Sequence, residues 1–399
     1  MLGHAPQLQL EKKAGPEALI GSARGMRAVL MERYKDDDRL CSLSPDTVEE
    51  FKRAGFFQIL QPAALGGLEL PAATLFQLEI ALAEADMSAA WVVANMGVAA
   101  FHVALFGPRA QNEVWEQTPD AIISSANMPG GKLVSCSDGT YTLSGKWRFS
   151  SGVEYADWVL LGAAAEIEGK PVVGACLVPR KDIRIIPDWD VVGLRGTGSH
   201  GIEVKSATLP RYRFLPHQSR FDGSSPGLGV NGAPLYRLPL PQLLFRSISS
   251  ASIGGLQGML NCFIETNAGR TSMMAQKIAQ DPHIHSLCAE ISADLVKLRG
   301  GVVHEFEMMM KRGCNGNAED IELRRRSRLN VTRIPEHCFL LGSKLHRAAG
   351  ASALYQNSQI LHYFNDLLAA RQHAACQYEV YARNDGAALF GEKSEDILL

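Results

Sequence analysis

The sequence predicts an α+β chain of three successive parts: an N-terminal helical domain, a central β-barrel and a C-terminal four-helix bundle. Apolar residues recur at helical spacing up to about residue 118. Short strand-like runs with Gly and Pro punctuation replace them up to about 232, and long helical patterns then return. At 399 residues the chain exceeds the usual size of one core, so the expected domains are 1–118, 119–232 and 233–399.

In the first part Leu19, Ala23, Met26 and Leu30 share one helical face. A second helix opens at Ser44, a suitable N-cap, with Pro45 at its first position and Gly55 at its end. Two more cover Thr74 to Ala85 and Ser88 to Phe106, the latter apolar almost all round and therefore buried. Its run SAAWVVANMGVAAFHVALFG is broken by Asn95 and His102 and closed by Gly107 and Pro108. That falls short of the roughly 18 to 20 uninterrupted apolar residues of a membrane span.

In the second part KLVSC and YTLSGKWRF flank Asp138-Gly139, a dipeptide suited to the positive φ angles of a tight hairpin. WVLLGAAAE, PVVGACLVP, IRIIPDWDVVG and GIEVKSATLP follow with no helix between them, a pattern that suits a small barrel or sandwich. FDGSSPGLGVNGAPL then reads as a surface connector with the composition of a lid. Breaks near Asp281-Pro282, RGCNGNAED and Gly350 cut the third part into four segments, as in an antiparallel bundle.

With 46% hydrophobic and 21% charged residues the composition is that of a soluble enzyme. A net charge of -2 offers no general attraction to nucleic acid or anionic membranes. Eight cysteines, no two closer than 24 residues, exclude CxxC motifs and suit a reduced, cytoplasmic protein. The segment MLGHAPQLQLEKKAG lacks the apolar core of a secretory signal. GLRGTG inverts the dinucleotide fingerprint and no helix follows it, and there is no P-loop. His283 and His285 form an H-x-H without a carboxylate or Cys to complete a metal site, so no metal is expected.

His337, His346 and His362 lie in helical patterns where a satisfied or exposed imidazole is the norm. His373 differs, because its Ala neighbours on a helix shared with Asp366, Leu367 and Tyr378 leave space beside the ring. GKWRFSSG ends a strand on two hydroxyls and a glycine, and Gly152 permits a close approach that a Cβ would block. It also reads as a plain turn. ISSANMPGG and GLRGTGSHG repeat the same chemistry, and three such loops are able to line one flat polar ligand.

In this order, helices, barrel and bundle resemble the acyl-CoA dehydrogenase-like flavoprotein superfamily. Within it, the chain is similar to the two-component flavin-dependent monooxygenases that hydroxylate p-hydroxyphenylacetate and related phenols, the dibenzothiophene monooxygenase relatives included. The resemblance rests on GTYTLSGKWRFSSGVEYADWVLLGA, WDVVGLRGTGSHGIEVKSATLP and LHRAAGASALYQNSQILHYFNDLLAARQHA, and it covers about residues 16–385. It implies that Ser150, with Ser151 beside it, lies at flavin N5. It also implies that Ser124 to Asn127 line the pyrimidine side, and that Thr197 and Ser199 approach the ring. Arg270 would pair with cofactor phosphate across a subunit interface, which implies a homotetramer.

Acyl-CoA dehydrogenases of the common type carry a Glu base shortly after an Arg-Asp pair. Here the pair is Asn365-Asp366 and QHAACQ holds no carboxylate. At that place His373 matches the histidine that the monooxygenases set beside flavin C4a and substrate. Their second histidine aligns with Ala99, leaving His102 about a turn later as a catalytic candidate or a core residue. The resemblance implies an oxygenase that takes reduced FMN or FAD (FMNH2 or FADH2) from a separate NAD(P)H-dependent flavin reductase. With O2 it would form a C4a-hydroperoxide and hydroxylate a small aromatic or heteroaromatic substrate. An acyl-CoA dehydrogenase with its base elsewhere, an N- or S-oxygenase, and a non-catalytic flavin-binding scaffold stand as alternatives.

Overall fold

The computed structural model describes residues 15–220, 223–271, 277–312 and 318–392. Residues 1–14 and Cys314 lie outside the described residues. Six helices come first: α1 (Pro16–Gly25), α2 (Arg27–Leu40), α3 (Pro45–Arg53), α4 (Ala72–Ala83), α5 (Met87–Ala104) and α6 (Pro108–Trp115). Ser44 caps α3 as its composition predicts, accepting from the Thr47 N–H with Pro45 at the first position. Asp86 caps α5 through the Ser88 N–H at 2.8 Å. By length and composition α5 is able to cross a membrane, but 94% of that window is buried inside the molecule.

Seven strands follow: β1 (Ile123–Ser135), β2 (Tyr141–Ser150), β3 (Trp158–Ile167), β4 (Lys170–Pro179), β5 (Arg184–Ile186), β6 (His200–Leu209) and β7 (Phe214–Pro216). They form one mixed sheet in the order β5-β6-β2-β1-β3-β4-β7, with β1 and β3 parallel. The expected barrel is thus an open sheet among the described residues. Its edge strands β5 and β7 have three residues each, and each pairs on one side only. In the β1–β2 hairpin only Gly139 takes positive φ (84°), while Asp138 instead accepts from the Thr140 N–H and hydroxyl. The sheet holds its own apolar core, including Leu143, Trp147, Leu161, Val178 and Ile202.

The C-terminal part has α7 (Leu240–Asn267), α8 (Pro282–Arg312), α9 (Ala318–Ala349), α10 (Gln359–Arg371) and α11 (Tyr378–Leu389). Four helical segments were expected there. The additional break falls at 372–377, so α10 ends before His373 and Tyr378 opens a new helix. A second apolar core runs from Leu19 through α4 and α5 into α7, α9 and α10, so helices from both ends of the chain bury one continuous surface.

The connector before α7 is not a free surface loop. The Gly227 N–H donates to the Leu105 carbonyl at 3.0 Å, and Asn231 Nδ2 donates to the Ala104 carbonyl at 2.8 Å. A Cβ on Gly227 would stand 2.0 Å from the Ala104 oxygen. The segment satisfies carbonyls that α5 leaves open at its C-terminus, which is why it is pinned there.

Candidate active site

Because β2 runs antiparallel to both β1 and β6, its last residue lies beside the first residues of both neighbours. Ser124, Ser150 and Ser199 meet there for that reason. Ser150 Oγ lies 2.8 Å from Ser124 Oγ, whose hydroxyl also reaches the Ser151 carbonyl at 2.8 Å. Ser151 Oγ lies 2.8 Å from Ser199 Oγ, which lies 2.7 Å from Thr197 Oγ1. The Thr197 hydroxyl donates to the Leu194 carbonyl at 2.8 Å, and the Gly152 N–H donates to the Thr197 carbonyl at 2.8 Å. Ser124, Ser150, Ser151, Thr197 and Ser199 are all buried. The sequence-predicted hydroxyls from three separate loops thus form one connected chain.

Two side-chain-bearing residues next to this chain sit in the left-handed region, Phe149 (φ 65°) and Leu194 (φ 54°). Each costs about 1 kcal/mol and persists only where neighbours over-determine it. Gly152 (φ 66°) is required on two counts, since a Cβ there would also stand 2.4 Å from Met96 Cε on α5.

From α5, Trp91 Nε1 donates to Ser151 Oγ at 3.2 Å, and the same indole meets the His373 ring edge-on, with centroids 5.9 Å apart. Trp91, which sequence reasoning missed inside an apolar run, is the bridge between the sheet's hydroxyls and the imidazole beyond α10. His373 does not ride on a helix as expected. It caps the short turn that follows α10, and its Nδ1 accepts the Ala375 N–H at 3.1 Å. His373 keeps part of its surface accessible although protein surrounds it deeply. Burial pushes its pKa down to about 4. The ring is therefore neutral near pH 7 with the proton on Nε2, because Nδ1 is occupied as an acceptor.

Other candidates fall differently. Asn127 Nδ2 donates to Ser125 Oγ at 3.3 Å while its buried Oδ1 has no partner. His102 is buried and packs on Phe106 at 6.0 Å. It stands three turns along α5 from Trp91, roughly 16 Å at 1.5 Å per residue. Arg270 Nη1 donates to the Ala349 carbonyl (2.8 Å), Ser352 Oγ (3.0 Å) and Asn267 Oδ1 (3.2 Å), which ties it to the end of α9. Asp366 is buried, and its Oδ1 accepts the Leu194 N–H at 2.6 Å. It braces the loop that carries Thr197 and Ser199.

An N-terminal helical part, a mixed sheet and a C-terminal helical part around this buried hydroxyl cluster define the acyl-CoA dehydrogenase-like fold. The acyl-CoA dehydrogenase C-terminal domain family matches residues 247–378. The flavin-dependent monooxygenase oxygenase subunit HsaA of Mycobacterium tuberculosis is 33% identical, over 90% of this chain and 92% of its own. The crystal structure of the M. tuberculosis HsaA monooxygenase superposes with a TM-score of 0.90 at 31% identity, covering 97% of this chain and 100% of that one. The oxygenase component of a FADH2-dependent resorcinol hydroxylase from a Rhizobium species is 29% identical, over 74% and 73% of the two chains. The chain belongs to the flavin-dependent monooxygenases of this fold, as an oxygenase component.

Proposed function

We propose that this oxygenase hydroxylates a small phenol or related aromatic ring, using reduced FMN or FAD supplied by a separate NAD(P)H-dependent reductase, together with O2. The resorcinol and p-hydroxyphenylacetate hydroxylase relatives favour an aromatic substrate. The single observation that carries the reading is the continuous path from the Ser150 hydroxyl, through Ser124, Ser151 and Trp91, to the neutral His373. The residues brought together there suit a flavin. Their hydroxyls are able to donate or accept as a ring edge of alternating N–H and C=O groups requires, and the buried, unpartnered Asn127 Oδ1 awaits a donor. When bound, reduced flavin with O2 would supply the transferred oxygen atom.

The chain's own residues orient, hold protons and exclude water. Ser150 places a hydroxyl at the ring edge, Ser124 fixes that hydroxyl's direction, and Thr197 and Ser199 border the ring from the β6 side. His373 presents Nε2–H to the substrate oxygen. It acts as an orienting donor and not as a base, since burial disfavours the imidazolium that proton uptake would create. His102, buried against Phe106 farther along α5, is read as a core residue, and Arg270 as the cofactor-phosphate ligand of a tetrameric, cytoplasmic assembly. Oxygenation at a nitrogen or sulfur of a heteroaromatic ring would use the same arrangement.

The test couples the protein to a general flavin reductase, NADH, and either FMN or FAD, and screens a panel of phenols, indoles and thioethers. Hydroxylated phenol with NADH consumption matched to product supports the reading. NADH consumption with no product across the panel refutes it, and bleaching of bound flavin by an acyl-CoA without reductase would identify a dehydrogenase.

A further inference from the structure

Behind the hydroxyl chain lies a second polar cluster, which the mechanism above does not use. His362, on α10, points both ring nitrogens at carboxylates: Nδ1 lies 3.1 Å from Asp38 Oδ2 on α2, and Nε2 lies 3.5 Å from Asp366 Oδ2 on α10. The N-cap of α5 completes the group, since Asp86, His362 and Asp366 each place one ligand-type atom within 4.8 Å of the others. Tyr34 lays its ring 4.3 Å from the imidazole, and Asp37 stands beside Asp38 on α2, with Arg33 attracting it. Asp37, Asp86 and Asp366 each bury one carboxylate oxygen without a hydrogen bond.

Nδ1 is at hydrogen-bond distance from Asp38, while Nε2 faces Asp366 Oδ2 at 3.5 Å as an ion pair without a formed hydrogen bond, and this flanking by two carboxylates favours a ring protonated on both nitrogens. The strained Leu194 hangs directly from this cluster. Its N–H is held by Asp366 Oδ1, and the preceding Gly193 lies so close to α10 that a Cβ there would stand 2.1 Å from the Asn365 carbonyl oxygen. From Leu194 the loop runs through Gly196, packed on Ser88 and Asp37, to Thr197 and Ser199.

We infer that His362, as an imidazolium, is a positioning residue for the flavin site: its charge, set among Asp38, Asp86 and Asp366, favours the ionised form of Asp366, which holds the 193–199 loop against α10. The inference rests on the flavin reading of the site.

Burial works against the charged ring, but Asp366, Asp38 and Asp86 together outweigh it and raise the His362 pKa to about 9. Burial, partly offset by that ring, raises Asp366 to about 6 and Asp86 to about 7, so their own titration ends below the alkaline limb. For a histidine whose folded-state pKa lies above its unfolded value near 6.5, the stabilisation is complete below about pH 6.5. It is lost as pH rises through about 9.

The experiment measures the affinity for reduced FMN and reduced FAD anaerobically from pH 6 to 10, and the melting temperature of the flavin-free protein over the same range. Wild type and His362→Gln are compared at each pH, so that the flavin's own titration cancels. We expect wild-type affinity and melting temperature to fall together near pH 9. His362→Gln should bind about tenfold more weakly at pH 7 and show no such limb. Should that variant fail to fold, Asp366→Asn, whose amide oxygen still accepts from Leu194, should move the alkaline limb to lower pH.

A His362→Gln protein that melts lower but binds reduced flavin as wild type does would reduce the cluster to a structural one and overturn the inference. An Asp366→Asn limb at the wild-type position would do the same, as would a stoichiometric metal found by elemental analysis. A wild type that binds neither flavin would instead refute the underlying reading of the site.

Discussion

Replacing Ser150 with Ala tests the centre of the proposed site. Ser150 is fully buried, and the hydrogen-bond partner found for its hydroxyl among the described residues is Ser124 Oγ at 2.8 Å. Ser124 is not stranded by the change, because it keeps the Ser151 carbonyl at 2.8 Å. The stability loss is therefore that of one hydrogen bond, about 1 kcal/mol, or a melting shift of about 2 °C or less in a chain this long. The functional loss is of the same order, since one contact to the flavin edge disappears. About 1 kcal/mol corresponds to roughly a fivefold change in the partition between product and hydrogen peroxide. The assay measures hydroxylated product and peroxide per NADH consumed, with reductase and flavin in excess. Ser124→Ala, which removes the partners of both Ser150 Oγ and the Ser151 carbonyl, should cost about twice as much in stability. Unchanged coupling in Ser150→Ala, alongside an unchanged melting temperature in Ser124→Ala, would refute the hydroxyl chain as the cofactor's contact.

Three further outcomes follow from other contacts. His373→Asn should lower product formation by about 100-fold or more while peroxide release continues; because burial holds the ring neutral to about pH 4, a wild-type activity limb near pH 6.5 that vanishes in the variant would contradict this environment. Gly152→Ala should cost about 2 kcal/mol in urea unfolding, from positive φ and overpacking against Met96 together, and a neutral result would show that α5 does not press on this turn. Glu79 is buried with Oε2 unpartnered, and burial raises its pKa well above the usual range despite the bond from the Ala251 N–H. Its folded-state cost therefore grows as pH rises above about 4.5, so Glu79→Gln should melt higher than wild type at pH 8 and about equally at pH 5; the reverse order would show that its carboxylate is satisfied.

Much of the fold was legible because local chemistry and tertiary structure agree. Ser44-Pro45 starts a helix by capping, Gly139 turns a hairpin, and the small polar residues after the strands do lie together. Barrel closure was not legible, since it depends on edge strands of three residues whose pairing leaves no periodic trace. The break at His373 was hidden because QHAACQ contains good helix formers, and it is tertiary contact that ends α10 before it. The connector's composition reads as a loop, while its Gly227 and Asn231 serve carbonyls of a helix more than a hundred residues earlier. His362 passed as an ordinary helical histidine although Asp366, one turn later, was in view. The other carboxylates, Asp38 and Asp86, come from segments some 300 residues away, beyond any periodicity.

The two histidines around α10 illustrate how one short stretch yields opposite proton chemistry. Eleven residues apart, both are surrounded by protein, so desolvation works against the charged form of each. At His362 three carboxylates reverse that tendency and keep the ring cationic; at His373 the neighbours are Trp91 and a backbone N–H, neither of which stabilises a cation at Nδ1, and the ring stays neutral. A cation in the site would attract water and anions to a place that has to stay dry, whereas a cation behind it fixes the loop without touching the ligand. Exchanging these environments would damage both roles. Placing a carboxylate beside His373, as Ala375→Asp would next to the backbone N–H that Nδ1 accepts, should raise the imidazole's pKa and bring a titration into the activity profile above pH 5. A pH profile left flat by such a charge would mean that His373 does not govern the site.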